Sequence, residues 1–289
     1  MQNKIEYLLF LTFSFLCRLF GLKLSRYFSI FMALFFFYFI PIRKKTVFEN
    51  LTFAFPDLNE KQIKEIAVNA YKSFFITLIE ILYLPYMKEK EIKYSISINN
   101  LQLIKNKFEL NKGVILLSAH FGNWEYIAIS SSMQVGIPYS VIVKAQRNPY
   151  VTKWLDKCRQ KWGNKIVPLG ASIRQVYTEL KERNIIAMVA DQRGPEDGIR
   201  VNFFGRPASV YPGPAVLAVK TGAPIIYGVA VRQPDFSYIT ELIEIDLNNL
   251  PENQDEKIKE ICRRHTFYLE EMIKKYPGQW LWMHERWKY

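Results

Sequence analysis

The apolar positions of this chain follow a continuous pattern at its start and a segmented one afterwards. Residues 7–22 are almost wholly apolar apart from Arg18, and residues 27–42 are apolar and rich in aromatic side chains before a basic cluster at 43–45. Each run is slightly shorter than the ~20 residues that an upright membrane-spanning helix needs. We therefore expect residues 1–45 to form a helical membrane anchor, with an embedded or re-entrant helix and a spanning helix both open, and a buried core hairpin is the alternative.

A cleaved secretory signal is a competing interpretation of the same segment. Its charged start is weak, its apolar part is long, and no small-residue cleavage site follows either run. We therefore expect the segment to stay attached. The basic cluster at 43–45 predicts a cytoplasmic location for the rest of the chain, because basic residues favour that side of a membrane.

The segmented pattern after residue 46 alternates short apolar runs with amphipathic ones. Predicted strands lie at 92–98, 113–117, 139–143, 165–168, 185–190, 224–231 and 238–245. Predicted helices lie at 60–84, 101–108, 124–133, 149–162, 172–183, from Gly213 onward, and at 255–276. Strands that alternate with helices indicate an α/β fold with a mainly parallel mixed sheet flanked by helices. We assign residues 46–289 to this single domain.

Composition narrows the class of partner. The 39 Lys and Arg residues outnumber the 27 Asp and Glu residues, and the formal net charge is +12. Such a charge favours an anionic partner, which can be a lipid surface, an acidic protein or nucleic acid. The charge alone does not distinguish these three. The three cysteines are too few and too scattered for a disulfide framework or a zinc site, which is compatible with a reducing compartment.

A histidine and a carboxylate stand where the predicted strand 113–117 ends. His120 lies at the carboxyl end of that strand, where open α/β sheets place their ligands. Glu125 lies five residues later, in the first turn of the predicted helix 124–133. A carboxylate that orients an imidazole lets the other ring nitrogen take a proton from a hydroxyl or amine. The alternative is ordinary structure, in which a capping carboxylate stands beside a satisfied histidine.

Further polar residues follow the ends of other predicted strands and should meet near His120. Lys144, Arg147 and Arg159 are cations that could hold phosphate groups, and a solvated basic face is the alternative. Asp191 and Gln192 follow the strand 185–190, where substrate contact and ordinary turn chemistry are both open interpretations.

Aromatic residues form two groups late in the chain. Phe204, Gly205 and Arg206 belong to the segment 201–208, which could line an apolar tunnel. The C-terminal segment 276–287 holds three tryptophans with a histidine and an arginine, a pattern that suits a membrane interface or, equally, a packed C-terminal clasp. We expect His265, on the predicted helix 255–276, to face solvent.

Five motifs in order along the chain resemble the bacterial lipid A biosynthesis acyltransferases, which are the late acyltransferases that add lauroyl or myristoyl chains. The motifs are His-Phe-Gly-Asn-Trp-Glu at 120–125, Asp-Gln at 191–192, Phe-Phe-Gly-Arg-Pro-Ala at 203–208, Gly-Pro-Ala-Val-Leu-Ala at 213–218, and Gln-Trp-Leu-Trp at 279–282 with Arg-Trp at 286–287. An apolar N-terminus followed by Asn-Leu at 50–51 and Phe-Pro at 55–56 extends the resemblance over nearly the whole chain.

This resemblance implies a glycerolipid acyltransferase type of fold and an enzyme of the inner membrane. The donor would be acyl carrier protein or coenzyme A carrying the acyl chain, and the acceptor a hydroxyl of a phosphorylated glycolipid, the lipid A precursor. His120 would be the base and Glu125 its partner, Asn123 would contact substrate, and Arg159 stands near an arginine important for activity in the family. Lys144 stands where many members have arginine.

Three hypotheses follow from these observations. The first is O-acyl transfer to a lipid A precursor, and the second is the same chemistry on a lysophospholipid, an aminolipid or another glycolipid. The third is a non-catalytic basic protein that binds anionic lipid or nucleic acid. A metal hydrolase is weaker, since the three histidines lack ligand spacing. The first hypothesis implies an acyl carrier protein partner and an anionic membrane, with no nucleic acid, metal or cofactor.

Overall fold

The computed structural model describes residues 1–170 and 173–288, with the backbone alone for Ile173. In the described chain, the helices are α1 Gln2–Phe39, α2 Lys44–Ala54, α3 Glu60–Tyr83, α4 Glu89–Lys93, α5 Gln102–Phe108, α6 Trp124–Val135, α7 Pro149–Gln160, α8 Ile173–Lys181, α9 Gly213–Thr221 and α10 Gln254–Lys275. The strands are β1 Ile96–Asn99, β2 Val114–Ser118, β3 Tyr139–Val143, β4 Lys165–Pro168, β5 Ile185–Val189, β6 Arg200–Phe203, β7 Arg206–Ser209, β8 Ile225–Tyr227, β9 Val231–Arg232, β10 Tyr238–Glu241 and β11 Ile243–Glu244. Short 3-10 helices span Leu84–Tyr86 and Pro277–Gln279.

A six-stranded sheet in the order β11-β8-β2-β5-β3-β4 forms the centre of the fold. Its neighbours are parallel except at the edge, where β11 runs antiparallel to β8. The central strands β2 and β5 are almost wholly apolar and largely buried, as strands covered on both faces are. The expected α/β fold with a mainly parallel mixed sheet is therefore confirmed.

The register between β2 and β5 positions the candidate chemistry. Ser118 pairs with Val189 at the carboxyl ends of these two strands. The residues two positions beyond this pair are His120 and Asp191, so parallel pairing brings them out of the sheet side by side. Their proximity thus follows from the topology rather than from closeness in sequence.

Two smaller sheets complete the strand structure. One has the order β1-β10-β9, and the other is the antiparallel hairpin β6-β7. The predictions of single strands at 224–231 and 238–245 are wrong, because each region contains two strands in different sheets. Strands β8 and β11 belong to the six-stranded sheet, whereas β9 and β10 belong to the three-stranded sheet. The predicted strand 92–98 is wrong in its first half, where Ile92 and Lys93 end a helix and a turn follows before the strand begins at Ile96. Helix α2 and the hairpin were not predicted, and the predicted start of a helix at Ser172 lies outside the described residues.

The two apolar runs near the N-terminus form one element, α1, with an interruption at Gly21. Its φ of 76° and ψ of 161° are not helical, and glycine tolerates this conformation without a steric penalty. The side of α1 that faces the protein is rich in small residues, namely Ser14, Cys17, Ser25, Ser29 and Ala33. Small residues let two helices approach closely. Large apolar side chains such as Leu19 and Phe39, 67% and 74% exposed, lie on the outward side.

This distribution is the reverse of that of a surface helix in a water-soluble protein. Only 11% of the most apolar window of α1 is buried inside the protein, whereas the corresponding value for the segment Glu60–Tyr86 is 50%. Helix α3 is therefore mainly a core helix, and α1 has the composition of a membrane anchor. The division into an anchor at 1–45 and a catalytic domain at 46–289 stays a prediction.

Candidate active site

His120 and Asp191 form a hydrogen-bonded pair at the carboxyl end of the central sheet. The distance from His120 Nδ1 to Asp191 Oδ1 is 2.8 Å. The His120 side chain is 18% exposed, and that of Asp191 is 2% exposed. A carboxylate can only accept, so Nδ1 carries the proton and Nε2 is left with a free lone pair. The pair can therefore take up a proton at Nε2.

The second oxygen of Asp191 is held as firmly as the first. Asp191 Oδ2 accepts the backbone N–H of His120 at 2.9 Å and the indole N–H of Trp280 at 2.8 Å. The same C-terminal segment also donates from the backbone N–H of Leu281 to the His120 carbonyl at 3.0 Å. Trp280 and Trp282 are buried, so the packed-clasp interpretation of this segment is confirmed for them and the membrane-interface interpretation is wrong.

Electrostatics favour the charged form of both partners. Burial alone would lower the pKa of the His120 imidazole, but the charge of Asp191 and its hydrogen bond outweigh burial and raise that pKa above its ordinary value of 6.5. Burial would raise the pKa of Asp191, yet the His120 charge and the N–H donors hold it below its ordinary value. An imidazolium formed at this position is therefore stabilised by a fixed carboxylate.

The expected contact between Glu125 and His120 is wrong. Glu125 lies in the first turn of α6, and both of its oxygens are bound by the guanidinium of Arg159, at 2.8 Å from Nε and 2.7 Å from Nη2. Arg159 also donates to Asp156 at 3.1 Å. The charge of Glu125 still contributes to the raised pKa of His120. In the structure Asp191 rather than Glu125 is therefore the hydrogen-bond partner of the imidazole.

Arg159, which was expected to contact phosphate, is engaged by two carboxylates in the folded protein, and its contact with phosphate stays a prediction. Its side chain is 11% exposed, and its three donor nitrogens face Glu125 and Asp156. These charges raise the pKa of the guanidinium above its ordinary value although burial opposes them. Arg159 therefore fastens α7 to the start of α6.

Replacing Arg159 with Ala is expected to lower the free energy of unfolding by about 3–5 kcal/mol, because it leaves the buried Glu125 carboxylate without its cation. A denaturant titration in mild detergent measures this loss. The matched control is Lys157→Ala, an exposed cation on the same helix, which should change stability by no more than about 0.5 kcal/mol. Similar small losses in both variants would show that the ion pair contributes little.

Gly122 and Asn123 shape the turn between His120 and Glu125. Gly122 has a φ of 52°, and a Cβ there would lie 1.9 Å from the Ala230 carbonyl oxygen, so only glycine fits. Asn123 caps α6 by accepting the backbone N–H groups of Glu125 and Tyr126 at 3.2 and 3.0 Å. Its amide also donates to a buried carboxylate, so this fully buried side chain has a structural role, and its expected substrate contact stays a prediction.

The remaining predicted site residues are more accessible. Lys144, Gln192, Gly205 and Arg206 are exposed, and Phe204 is half-buried. Arg147, with a side chain 80% exposed, forms an ion pair with Glu6 of α1 at 2.7 Å. The Glu6 carboxylate would therefore compete with a phosphate group for the Arg147 guanidinium. Substrate contact by these residues stays a prediction.

Arg206 and Phe204, which belong to the β6-β7 hairpin and the turn within it, have aromatic neighbours. The Arg206 guanidinium lies over the Phe53 ring, 4.3 Å from its centroid. The Phe204 ring lies 5.4 Å from that of Phe55 and also adjoins Trp282 and Trp287. Phe204 and Arg206 therefore take part in aromatic packing, and a tunnel along 201–208 stays a prediction.

A basic groove of about 510 Å³ lies along α7 beside the Arg159 ion pair. It is lined by Ala145, Gln146, Pro149, Thr152, Lys153, Asp156, Lys157, Gln160 and Ile166. Asp156 lines the groove and also accepts a hydrogen bond from Arg159, which in turn binds Glu125. The groove is therefore connected to Glu125 through the Arg159 guanidinium. Its exposed cations make it attractive to anionic groups.

Sequence reasoning missed several buried polar residues. His265 is 2% exposed, which overturns the expectation that it faces solvent, and burial lowers its pKa to about 4. Arg286 is buried, its charge interacts with that of Asp191, and it donates to the Ser209 carbonyl. Glu80 is completely buried in α3, where a lone acid within an otherwise apolar run was the signal that could have found it. Among the described residues, no group of three or more His, Cys, Asp or Glu could hold a metal ion.

Comparison with known proteins identifies several curated acyltransferases that are similar to this chain. The lipid A biosynthesis lauroyltransferase of Escherichia coli strain K12 is 24% identical over 252 residues, which cover 86% of this chain and 80% of that protein. The palmitoleoyltransferase of the same strain is 20% identical with the same coverage. The phosphatidylinositol mannoside acyltransferase of Mycobacterium tuberculosis (strain CDC 1551 / Oshkosh) is 26% identical over 153 residues, 51% of this chain and 48% of that protein.

The chain thus spans about half the length of the mannoside acyltransferase that it matches. The model of the family described as bacterial lipid A biosynthesis acyltransferase matches residues 2–289, which is nearly the whole chain. The protein therefore belongs to the bacterial lipid A biosynthesis acyltransferase family, and it is an acyltransferase.

Proposed function

We propose that this protein transfers an acyl chain from a thioester of acyl carrier protein or coenzyme A to a hydroxyl of a lipid A precursor, with His120 as the general base. The observation that carries the proposal is the His120–Asp191 pair, which leaves Nε2 free at the carboxyl end of the sheet. Membership of an acyltransferase family sets aside the non-catalytic and metal-hydrolase hypotheses.

The chemistry follows from this one pair. His120 Nε2 takes the proton of the acceptor hydroxyl while its oxygen attacks the thioester carbonyl. The C–S bond of the resulting tetrahedral intermediate then breaks, and the departing thiolate takes the proton from the imidazolium. The products are an ester and a free thiol. Asp191 stabilises the imidazolium between the two proton transfers.

The anchor and the charge suggest where the reaction takes place. The exposed apolar side of α1 suits attachment to a membrane, and the cluster Arg43, Lys44 and Lys45 suits the cytoplasmic side of the inner membrane. The net charge of +12 and the groove along α7 favour an acidic carrier protein and a phosphorylated glycolipid. The hydroxyl acceptor is therefore presented from the bilayer, and the donor arrives from the cytoplasm.

A second acceptor is supported by the match to a protein named as a phosphatidylinositol mannoside acyltransferase. The test is acyl transfer by the full-length protein in detergent, with labelled thioesters of several chain lengths and three acceptors in parallel. These acceptors are a lipid A precursor, a phosphatidylinositol mannoside and a lysophospholipid. We expect label in the lipid A precursor. Label in one of the other acceptors alone would refute lipid A as the acceptor and support the same chemistry on another lipid.

The pH dependence of the reaction reports on the base. Because the pKa of His120 is raised, the neutral imidazole forms only above its ordinary 6.5, and the acid limb of kcat/KM should have its midpoint above that value. Glu125→Gln removes one of the charges that raise this pKa, so the midpoint should move to lower pH. The control is Glu65→Gln, an exposed acid on α3. A midpoint below 6.5 in the wild-type protein would contradict the raised pKa.

A further inference from the structure

A buried polar cluster lies between α1, α3 and the turn that follows β2. We call it the Glu80 cluster; its members are Arg26, Ser73, Thr77, Glu80, Asn123, Arg232 and Tyr238. The Glu80 side chain is 0% exposed, and that of Arg26 is 16% exposed. An ionised carboxylate at such a position is costly unless it is paired and hydrogen-bonded.

The two oxygens of Glu80 connect two parts of the molecule. Oε1 accepts from Arg26 of α1, at 2.8 Å from Nε and 2.7 Å from Nη2. Oε2 accepts from the Asn123 amide at 2.8 Å and from the Tyr238 hydroxyl at 2.5 Å. The carboxylate therefore joins the apolar N-terminal helix to the residue that caps α6, three positions after His120.

A second contact of the cluster holds the same turn. The Thr77 hydroxyl donates to the Gly122 carbonyl at 2.6 Å. Gly122 is also held from the opposite side, since its N–H donates to the Gln279 carbonyl at 3.0 Å. The backbone between His120 and Glu125 is thus fixed by α3 on one side and by the C-terminal segment on the other.

Arg26 is the closer of the two cations that face Glu80. Arg232 comes no nearer than 3.6 Å, because its nitrogens are engaged by Tyr238, Ser73 and Thr77. Arg26 instead places two nitrogens within hydrogen-bond distance of one oxygen. Removing Arg26 would leave Oε1 of Glu80 without its cation, so the carboxylate that Asn123 binds through Oε2 would be less firmly held.

A buried ion pair contributes little net stability compared with apolar packing. Stability alone therefore does not account for the Arg26–Glu80 pair. We propose that Arg26 and Glu80 are positioning residues for acyl transfer: the guanidinium of α1 holds the carboxylate that orients Asn123, and Asn123 sets the turn carrying His120. This proposal rests on the proposed function of His120. The docked N-terminal helix is then part of the construction of the active site as well as an anchor.

The test compares Arg26→Gln with Arg18→Gln in the full-length protein. Arg18 lies exposed on the same helix, with its guanidinium over the Tyr86 ring, so its replacement removes the same charge without touching Glu80. We expect Arg26→Gln to lower kcat by about 10²-fold, because a small misplacement of a catalytic group has an effect of this size. KM should change little, and Arg26→Lys should recover part of kcat. Arg18→Gln should stay within about twofold of the wild-type protein.

A second readout does not depend on activity. Hydrogen exchange of the amides in 120–126 should be faster in Arg26→Gln and unchanged in Arg18→Gln, because Asn123 no longer caps α6 firmly. Unchanged exchange in folded Arg26→Gln would overturn the proposal whatever the activity. Faster exchange in a protein whose wild-type form transfers no acyl chain would instead uphold the positioning and refute the proposed function.

The combined variant separates positioning from a general loss of stability. Arg26 and Asn123 act through one carboxylate, so Arg26→Gln added to Asn123→Ala should lower kcat little further than Asn123→Ala alone. A kcat loss equal to the product of the two single losses would show that the residues act independently and would overturn the proposal. So would a wild-type kcat in folded, membrane-bound Arg26→Gln.

Discussion

Replacing Asp191 with Asn is expected to lower kcat for acyl transfer by about 10³- to 10⁴-fold with the fold retained, because the imidazole adopts the wrong tautomer. Two N–H groups, from His120 and Trp280, donate to Asp191 Oδ2. The oxygen of Asn must take that position, which turns its NH₂ group toward His120 Nδ1. Nδ1 then accepts a hydrogen bond, the proton moves to Nε2, and the base loses its free lone pair.

A steady-state assay of the full-length variant in detergent measures this effect. The matched control is Asp197→Asn, an exposed aspartate six residues further along the same loop, which should stay within about twofold of the wild-type kcat. An Asp191→Asn protein with nearly normal kcat would show that the carboxylate does not set the tautomer. Equal melting temperatures of the two variants would establish that the loss is chemical.

Replacing His120 with Ala is expected to lower kcat by about 10²- to 10⁴-fold, the range that a positioned general base contributes. Its side chain is the partly accessible member of the pair, and its removal leaves the Asp191 carboxylate bound by Trp280 and the backbone. Donor binding should persist, so KM for the thioester should change much less than kcat.

The control for this variant is His265→Leu. His265 is buried in α10, and its Nε2 has no hydrogen-bond partner among the residues that the structure describes, so an apolar side chain can replace it. Its kcat should stay close to that of the wild-type protein. Equal losses of kcat in the two histidine variants would argue against a specific role for His120.

The sheet and the meeting of His120 with Asp191 could be predicted because both depend on local patterns and on parallel topology. Strands β3 and β4 begin and end at the residues predicted for them. Residues that follow neighbouring parallel strands emerge at one edge of the sheet, whatever their separation in sequence. Family membership and the acyltransferase class were likewise evident from the motifs and are confirmed by the family match.

The partner of His120 could not be predicted from spacing. Glu125 is close in sequence, but Arg159, 34 residues later, binds both of its oxygens. Asp191 was expected to contact substrate, and its role depends on the pairing register of β2 and β5. Such non-local contacts depend on how elements pack, which a pattern of apolar positions does not specify.

The Glu80 cluster was missed for the same reason. A lone glutamate within an apolar helix indicates a buried or interfacial site, yet its partners lie 54, 43 and 158 residues away in the chain. The serines of α1 lie within an apolar segment that hydropathy alone assigns to the membrane, so their contact with the protein could not be predicted. Their position on the side of the helix that faces the protein emerges only with the packing of α1 on α3, where Ser14 donates to the Leu82 carbonyl.

The most direct test of the central claim is the initial rate of acyl transfer from a labelled thioester to a lipid A precursor, measured side by side for the wild-type protein and His120→Ala. We predict that the wild-type protein forms labelled ester and that the folded variant forms it at least about 10²-fold more slowly. Transfer at equal rates by both proteins would contradict the role of His120, and no transfer by the folded wild-type protein to this acceptor would contradict the proposed reaction.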